Sequence, residues 1–91
     1  MKLETAINKA FKELKKNHVK TALLDSELIL SKVINKSREF IILNADKIMN
    51  DKNYHQFQRL IYERSKGKPI AYITGKKFFW KSEFEINDKV L

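Results

Sequence analysis

The chain has 91 residues, with 16 Lys and 3 Arg against 11 Asp and Glu, a net charge of +8, and no cysteine. That length supports one modest core and leaves no room for a catalytic α/β domain, and the lack of cysteine removes disulfides and thiolate metal sites. No stretch approaches the roughly 20 apolar residues that would span a bilayer, and Met1-Lys2-Leu3-Glu4 leads straight into an amphipathic pattern instead of the apolar block of a signal peptide. A soluble, cytoplasmic domain with no membrane contact is expected. The lysine-dominated charge fits plain solubility and compositional bias first and an acidic or polyanionic partner second, so the charge alone names none.

In chain order, Leu3, Ala6, Ile7, Ala10, Phe11 and Leu14 recur at three- and four-residue intervals with lysines and glutamates between them, which predicts an amphipathic helix of about four turns. Asn17-His18 breaks it. From about Thr21 to Ile34 a second helix is apolar on two sides: Ala22, Leu23, Ile29, Leu30, Val33 and Ile34 share one arc, with Leu24 and Leu28 nearly opposite. Such a helix belongs in the middle of a bundle. Asp25 and Glu27 interrupt its apolar run and are expected at its solvated edges, or holding a neighbouring N–H or cation.

Asn35-Lys36-Ser37 closes the second helix and offers Ser37 as the N-cap of a short third one, with Phe40, Ile41 and Leu43 as its apolar residues. A fourth helix starts after Asn50, with Asp51 at its positive end and Met49 and Tyr54 at the spacing of a hydrophobic staple. It carries Tyr54, Phe57, Leu60 and Ile61 inward and finishes with Arg64 and Lys66.

The stretch Arg64 to Gly75 organises the rest, because it holds both glycines and the only proline of the chain. Gly67 is placed to end the fourth helix in the left-handed conformation, and Pro69 fixes φ at the next start. Ile70 to Thr74 have room for little more than one helical turn before Gly75. Beyond it, Lys77-Phe78-Phe79-Trp80 and Glu83-Phe84-Glu85-Ile86 flank the polar pair Lys81-Ser82, which predicts a β-hairpin. The fold class is therefore mainly α, a bundle of four to five helices over residues 1–75 followed by a hairpin over 76–91. An isolated hairpin is marginal in water, so this one needs a surface to lie on.

The motifs of common chemistry are missing: no glycine-rich phosphate loop, no His-Glu-x-x-His, no Gly-x-Ser-x-Gly. His18 and His55 sit far apart among polar residues and read as surface histidines. Tyr72, between Ala71 and Ile73, reads as a packing residue, and Trp80 as a packing or contact anchor. These residues describe a binding or scaffolding module.

The run Arg64-x-x-Gly67-x-Pro69-Ile70-Ala71-Tyr72-Ile73-x-Gly75-x-x-x-Phe79-Trp80, followed by Phe84-x-Ile86-x-x-x-Val90-Leu91, resembles the N-terminal region of the HemK/PrmC protein methyltransferases. Asp25-Ser26-Glu27-Leu28-Ile29-Leu30 is similar to a run those proteins carry in an early helix. Three positions depart from the pattern: Lys68 stands where the family commonly has an acid, as does Phe78, and Glu63 stands where it often has a second Arg.

The resemblance implies a domain cut at its linker, with an S-adenosylmethionine-binding catalytic domain downstream. The implied parent methylates the Gly-Gly-Gln glutamine of class I peptide chain release factors, and this domain grips that protein substrate. No cofactor is expected in the fragment itself and S-adenosylmethionine in the parent; the implied partners are a class I release factor and the parent's own catalytic domain. Arg64, Gly67, Pro69, Tyr72, Gly75, Phe79 and Trp80 are the candidate substrate-contact or domain-junction residues. No catalytic, cofactor-binding or metal residue is assigned. The alternative is a lysine-rich helical module that binds nucleic acid, although no RRM, KH or helix-turn-helix signature is visible.

Overall fold

The computed structural model describes residues 1–75, and among these the chain forms five helices: α1 (Leu3–Lys16), α2 (Ala22–Ile34), α3 (Arg38–Leu43), α4 (Asp51–Ser65) and α5 (Ile70–Thr74). The mainly helical class expected from the periodicity is the one observed. The hairpin expected over 76–91, with Phe79, Trp80, Phe84 and Ile86, lies outside the described residues.

Local sequence explains where the helices begin and end. Ser37 caps α3, its Oγ accepting from the Phe40 N–H at 3.1 Å, and Asn50 caps α4, its Oδ1 accepting from the Asn53 N–H at 2.7 Å. Three helices close in the same way, with one residue in the positive-φ region and two backbone bonds that satisfy the last carbonyls. At the end of α1 that residue is His18, φ +67°, and the Val19 N–H reaches the Leu14 carbonyl at 3.0 Å. At the end of α2 it is Asn35, φ +58°, with the Lys36 N–H on the Ser31 carbonyl at 3.1 Å. At the end of α4 it is Gly67, φ +103°, with the Lys68 N–H on the Glu63 carbonyl at 3.2 Å.

Helix α2 packs against each of the other four, as expected of a helix apolar on two sides. Leu14, Ile29, Leu30, Ile41 and Phe57 fill the interior between them, and each such side chain contributes about 1.5–3 kcal/mol by leaving water. The N-terminus is tied down as well. Lys2 bridges Ile48 in antiparallel fashion, and the Leu3 N–H donates to the Lys47 carbonyl at 2.9 Å. This strap fixes the connection between α3 and α4 against the start of α1.

Two details differ from the sequence reading. The buried stripe of α2 is Ala22, Asp25, Ser26, Ile29 and Leu30, so Leu23, expected inward, is 49% exposed, while Asp25, expected at a solvated edge or holding a neighbouring N–H or cation, is 2% exposed and takes the second role. The stripe keeps the three- and four-residue spacing of a helix face. Polar residues are tolerated in it because each finds a partner: Ser26 Oγ donates to the Ala22 carbonyl at 2.7 Å, and Asp25 holds a cation. In the short α3 only Ile41 is buried, and Leu43 is 81% exposed because so short a helix turns one face inward.

Candidate functional site

The segment from Arg64 to Gly75 begins in the last turn of α4. Arg64 Nε donates to Asp25 Oδ2 at 2.8 Å, and Thr21 Oγ1 donates to the same oxygen at 2.9 Å. The Asp25 side chain is 3% exposed and that of Arg64 20%, so the pair sits in a medium where its mutual attraction is strong and separation of the partners is costly. Arg64 Nη1 also donates to the Lys68 carbonyl at 3.3 Å. One guanidinium thus joins the first turn of α2 to the loop that leaves α4.

That loop is fixed from its own side too. Gly67 adopts a φ that side chains with a Cβ rarely take, and no heavy atom lies within 4 Å of where a Cβ would stand, so the requirement for glycine is one of backbone alone. Lys68 Nζ lies 3.2 Å from Glu63 Oε1. Pro69, φ −59° and ψ 143°, is the N-cap of α5. Helix α5 then buries Ile73 and Thr74, the Thr74 hydroxyl donating to the Ile70 carbonyl at 3.1 Å. Gly75 ends it at φ +74°, with Lys32 Nζ 3.9 Å from the position of an added Cβ.

The fold therefore brings Arg64, Gly67 and Pro69 together in one braced turn and sets Gly75 against the end of α2. Tyr72 is different: it is 73% exposed, which corrects its reading as a packing residue, because α5 turns Ile73 and Thr74 toward the bundle and its intervening side chain faces out. Phe79 and Trp80 lie outside the described residues. Asp25, expected at a solvated edge or holding a neighbouring N–H or cation, holds the Arg64 guanidinium. Its signal was an acid inside the apolar run of a central helix, a place where charge persists only with a partner.

A second ion pair, Arg38 Nη2 to Glu27 Oε1 at 2.8 Å, ties α3 to α2. Among the described residues no three His, Cys, Asp or Glu side chains gather as they would around a metal, and no helix is long and apolar enough to cross a membrane. Between α1 and α4 runs an open groove of about 300 Å³, lined by Lys9, Glu13, Tyr54 and Tyr62 among others.

Comparison with known proteins places this geometry. The family described as the PrmC N-terminal domain matches residues 5–75. The release factor glutamine methyltransferase of Leptospira interrogans serogroup Icterohaemorrhagiae serovar Lai is 37% identical over 87 residues, covering 96% of this chain and 30% of that protein. The same-named protein of Buchnera aphidicola subsp. Schizaphis graminum is 35% identical over 91 residues, covering 100% of this chain and 32% of its own length. A bifunctional methyltransferase of Rickettsia felis is 35% identical over 89 residues, covering 98% of this chain and 17% of that protein. The chain thus spans about a third or less of the curated relatives it matches. No solved structure matches. On the match over residues 5–75, this chain belongs to the PrmC N-terminal domain family.

Proposed function

We propose that the chain is the N-terminal substrate-recognition and positioning domain of a release factor glutamine methyltransferase. In this reading the whole enzyme works in the cytoplasm, moving a methyl group from S-adenosylmethionine to the side-chain amide of the Gly-Gly-Gln glutamine in class I release factors. Residues 1–75 are the recognition bundle, and 76–91 lead toward the methyltransferase domain. The observation that carries the reading is the similarity, over nearly the whole chain, to proteins named release factor glutamine methyltransferases.

The described residues do not fit S-adenosylmethionine. The chain's two glycines close α4 and α5, and among the described residues no strand-to-helix turn presents a cradle of backbone N–H groups. No step of methyl transfer is therefore routed through them. What the bundle contributes is remote binding energy: contacts made to a large protein far from the reacting amide restrict its motion and help align the glutamine. The basic surface and the braced turn at Arg64 suit that task, since a rigid grip loses less freedom on binding.

Isothermal titration of the 91-residue chain with a purified class I release factor tests the reading. Saturable one-to-one binding that weakens with salt is expected. No heat and no complex at any salt concentration would reduce the bundle to a stabilising cap on its neighbour.

A further inference from the structure

We propose that the groove between α1 and α4 is where the bundle grips its protein substrate, by seating an acidic segment that carries one apolar side chain. The inference rests on the substrate-recognition reading above and adds the surface and the chemistry of what it holds.

The floor of the groove is apolar. Ala6 and Ala10 of α1 and Phe57 and Ile61 of α4 line it, all four buried against the core. The small alanines leave room above them, and about 300 Å³ is space for a side chain or two of a visitor. Tyr54 and Tyr62 rise from α4 at positions eight apart, with Gln58 midway, so the three form one ridge along the groove. Tyr62 is exposed, and Lys66 Nζ sits 5.1 Å from its ring centroid. An aromatic wall of this kind favours an aromatic or aliphatic side chain from a partner.

Lysines flank the groove. Lys9 lines the groove, at 100° per residue Lys16 lies about 20° from it two turns on, and Lys66 stands over Tyr62 on the α4 side. All three are exposed, and among the described residues none of them is in an ion pair. Glu13 is the acidic side chain in the groove lining, and its carboxylate already accepts from Asn17 Nδ2 at 3.3 Å. Lys9, Lys16 and Lys66 together outnumber it. Unpaired lysines beside the groove and tyrosines along it are complementary to a peptide of carboxylates flanking a hydrophobic residue. Nucleic acid is the weaker match, because this groove has no arginine and only one exposed tyrosine for stacking.

Amide chemical-shift mapping of the ¹⁵N-labelled 91-residue chain tests the proposal with three probes: a purified class I release factor, a short oligoglutamate peptide with one central phenylalanine, and a uridine oligonucleotide. Expected is that the release factor and the peptide both move the amides of Lys9, Ala10, Gln58 and Tyr62. The double charge reversal Lys9→Glu, Lys16→Glu should weaken release-factor binding by about tenfold or more, while Lys36→Glu changes it by about twofold or less. Undisturbed shift dispersion in the variants shows that they remain folded. If the release factor binds but moves amides elsewhere, or if Lys36→Glu weakens it as much, the groove assignment falls and substrate recognition stands. If only the peptide fills the groove, the groove stands and the release factor is the wrong partner. If the oligonucleotide displaces the peptide from these amides, the acidic occupant is wrong, and if none of the three binds, both readings fall.

Discussion

Arg64 and Asp25, 39 residues apart in sequence, meet with Nε 2.8 Å from Oδ2, and the same guanidinium reaches the Lys68 carbonyl at 3.3 Å. The consequence is that the turn leading into α5 is held by the centre of the bundle as well as by its own backbone. Asp25 depends on its partner most, because without Arg64 its carboxylate would be a charge shut away from water.

Truncating Asp25 to Ala should cost about 3–5 kcal/mol. That is a large share of the roughly 5–15 kcal/mol of a small domain. Glu27→Ala, which breaks the more exposed pair with Arg38, should cost about 1 kcal/mol or less. Urea unfolding of both variants followed by circular dichroism gives the comparison. Equal midpoints for the two would show that the Asp25 pair is no more than a surface contact.

His18 and Gly67 take left-handed conformations at the ends of α1 and α4, but only Gly67 does so without a Cβ. His18→Gly should stabilise the domain by about 0.5–1 kcal/mol, and Gly67→Ala should destabilise it by about 1–2 kcal/mol. Thermal melts of the two variants should shift in opposite directions. A Gly67→Ala protein as stable as the parent would mean that the turn is not locked at φ +103° in solution.

Lys68 and Glu63, two of the positions where the chain departs from the pattern its sequence resembles, face each other at 3.2 Å. The departures therefore compensate: each charge has the opposite of the expected sign, and the two still pair. Both side chains are a third exposed or more, so exchanging them, Glu63→Lys with Lys68→Glu, should change stability by less than about 0.5 kcal/mol. Single reversals should cost more than the exchange, and a double-mutant cycle measured at low salt reads the coupling. A coupling of zero would leave the proximity without energetic meaning.

Much of this fold was legible in the sequence because it is written in local signals. Ser37 and Asn50 cap the helices that the chain starts after them, Gly67 ends α4, and Ile70 to Thr74 form the single short helix that the space between Pro69 and Gly75 allows. What periodicity missed was the inward face of α2. Apolar count drew Leu23 inward, whereas the structure buries Asp25 and Ser26 there, because a partner 39 residues away neutralises the acid and a backbone carbonyl satisfies the hydroxyl. No window of sequence contains that partner. Tyr72 was misread for a related reason: in a single-turn helix the face that points inward is chosen by the neighbours, here α2 and α4, and not by the helix itself.

Competition reads substrate recognition by the bundle in the working enzyme. A full-length release factor glutamine methyltransferase, such as the Leptospira relative, is assayed on its class I release factor while the 91-residue chain is added in increasing excess. Methylation should slow as the added bundle occupies the release factor, and raising the release-factor concentration should restore the rate. Methylation that proceeds unchanged at every excess of a folded chain would contradict substrate recognition by the bundle.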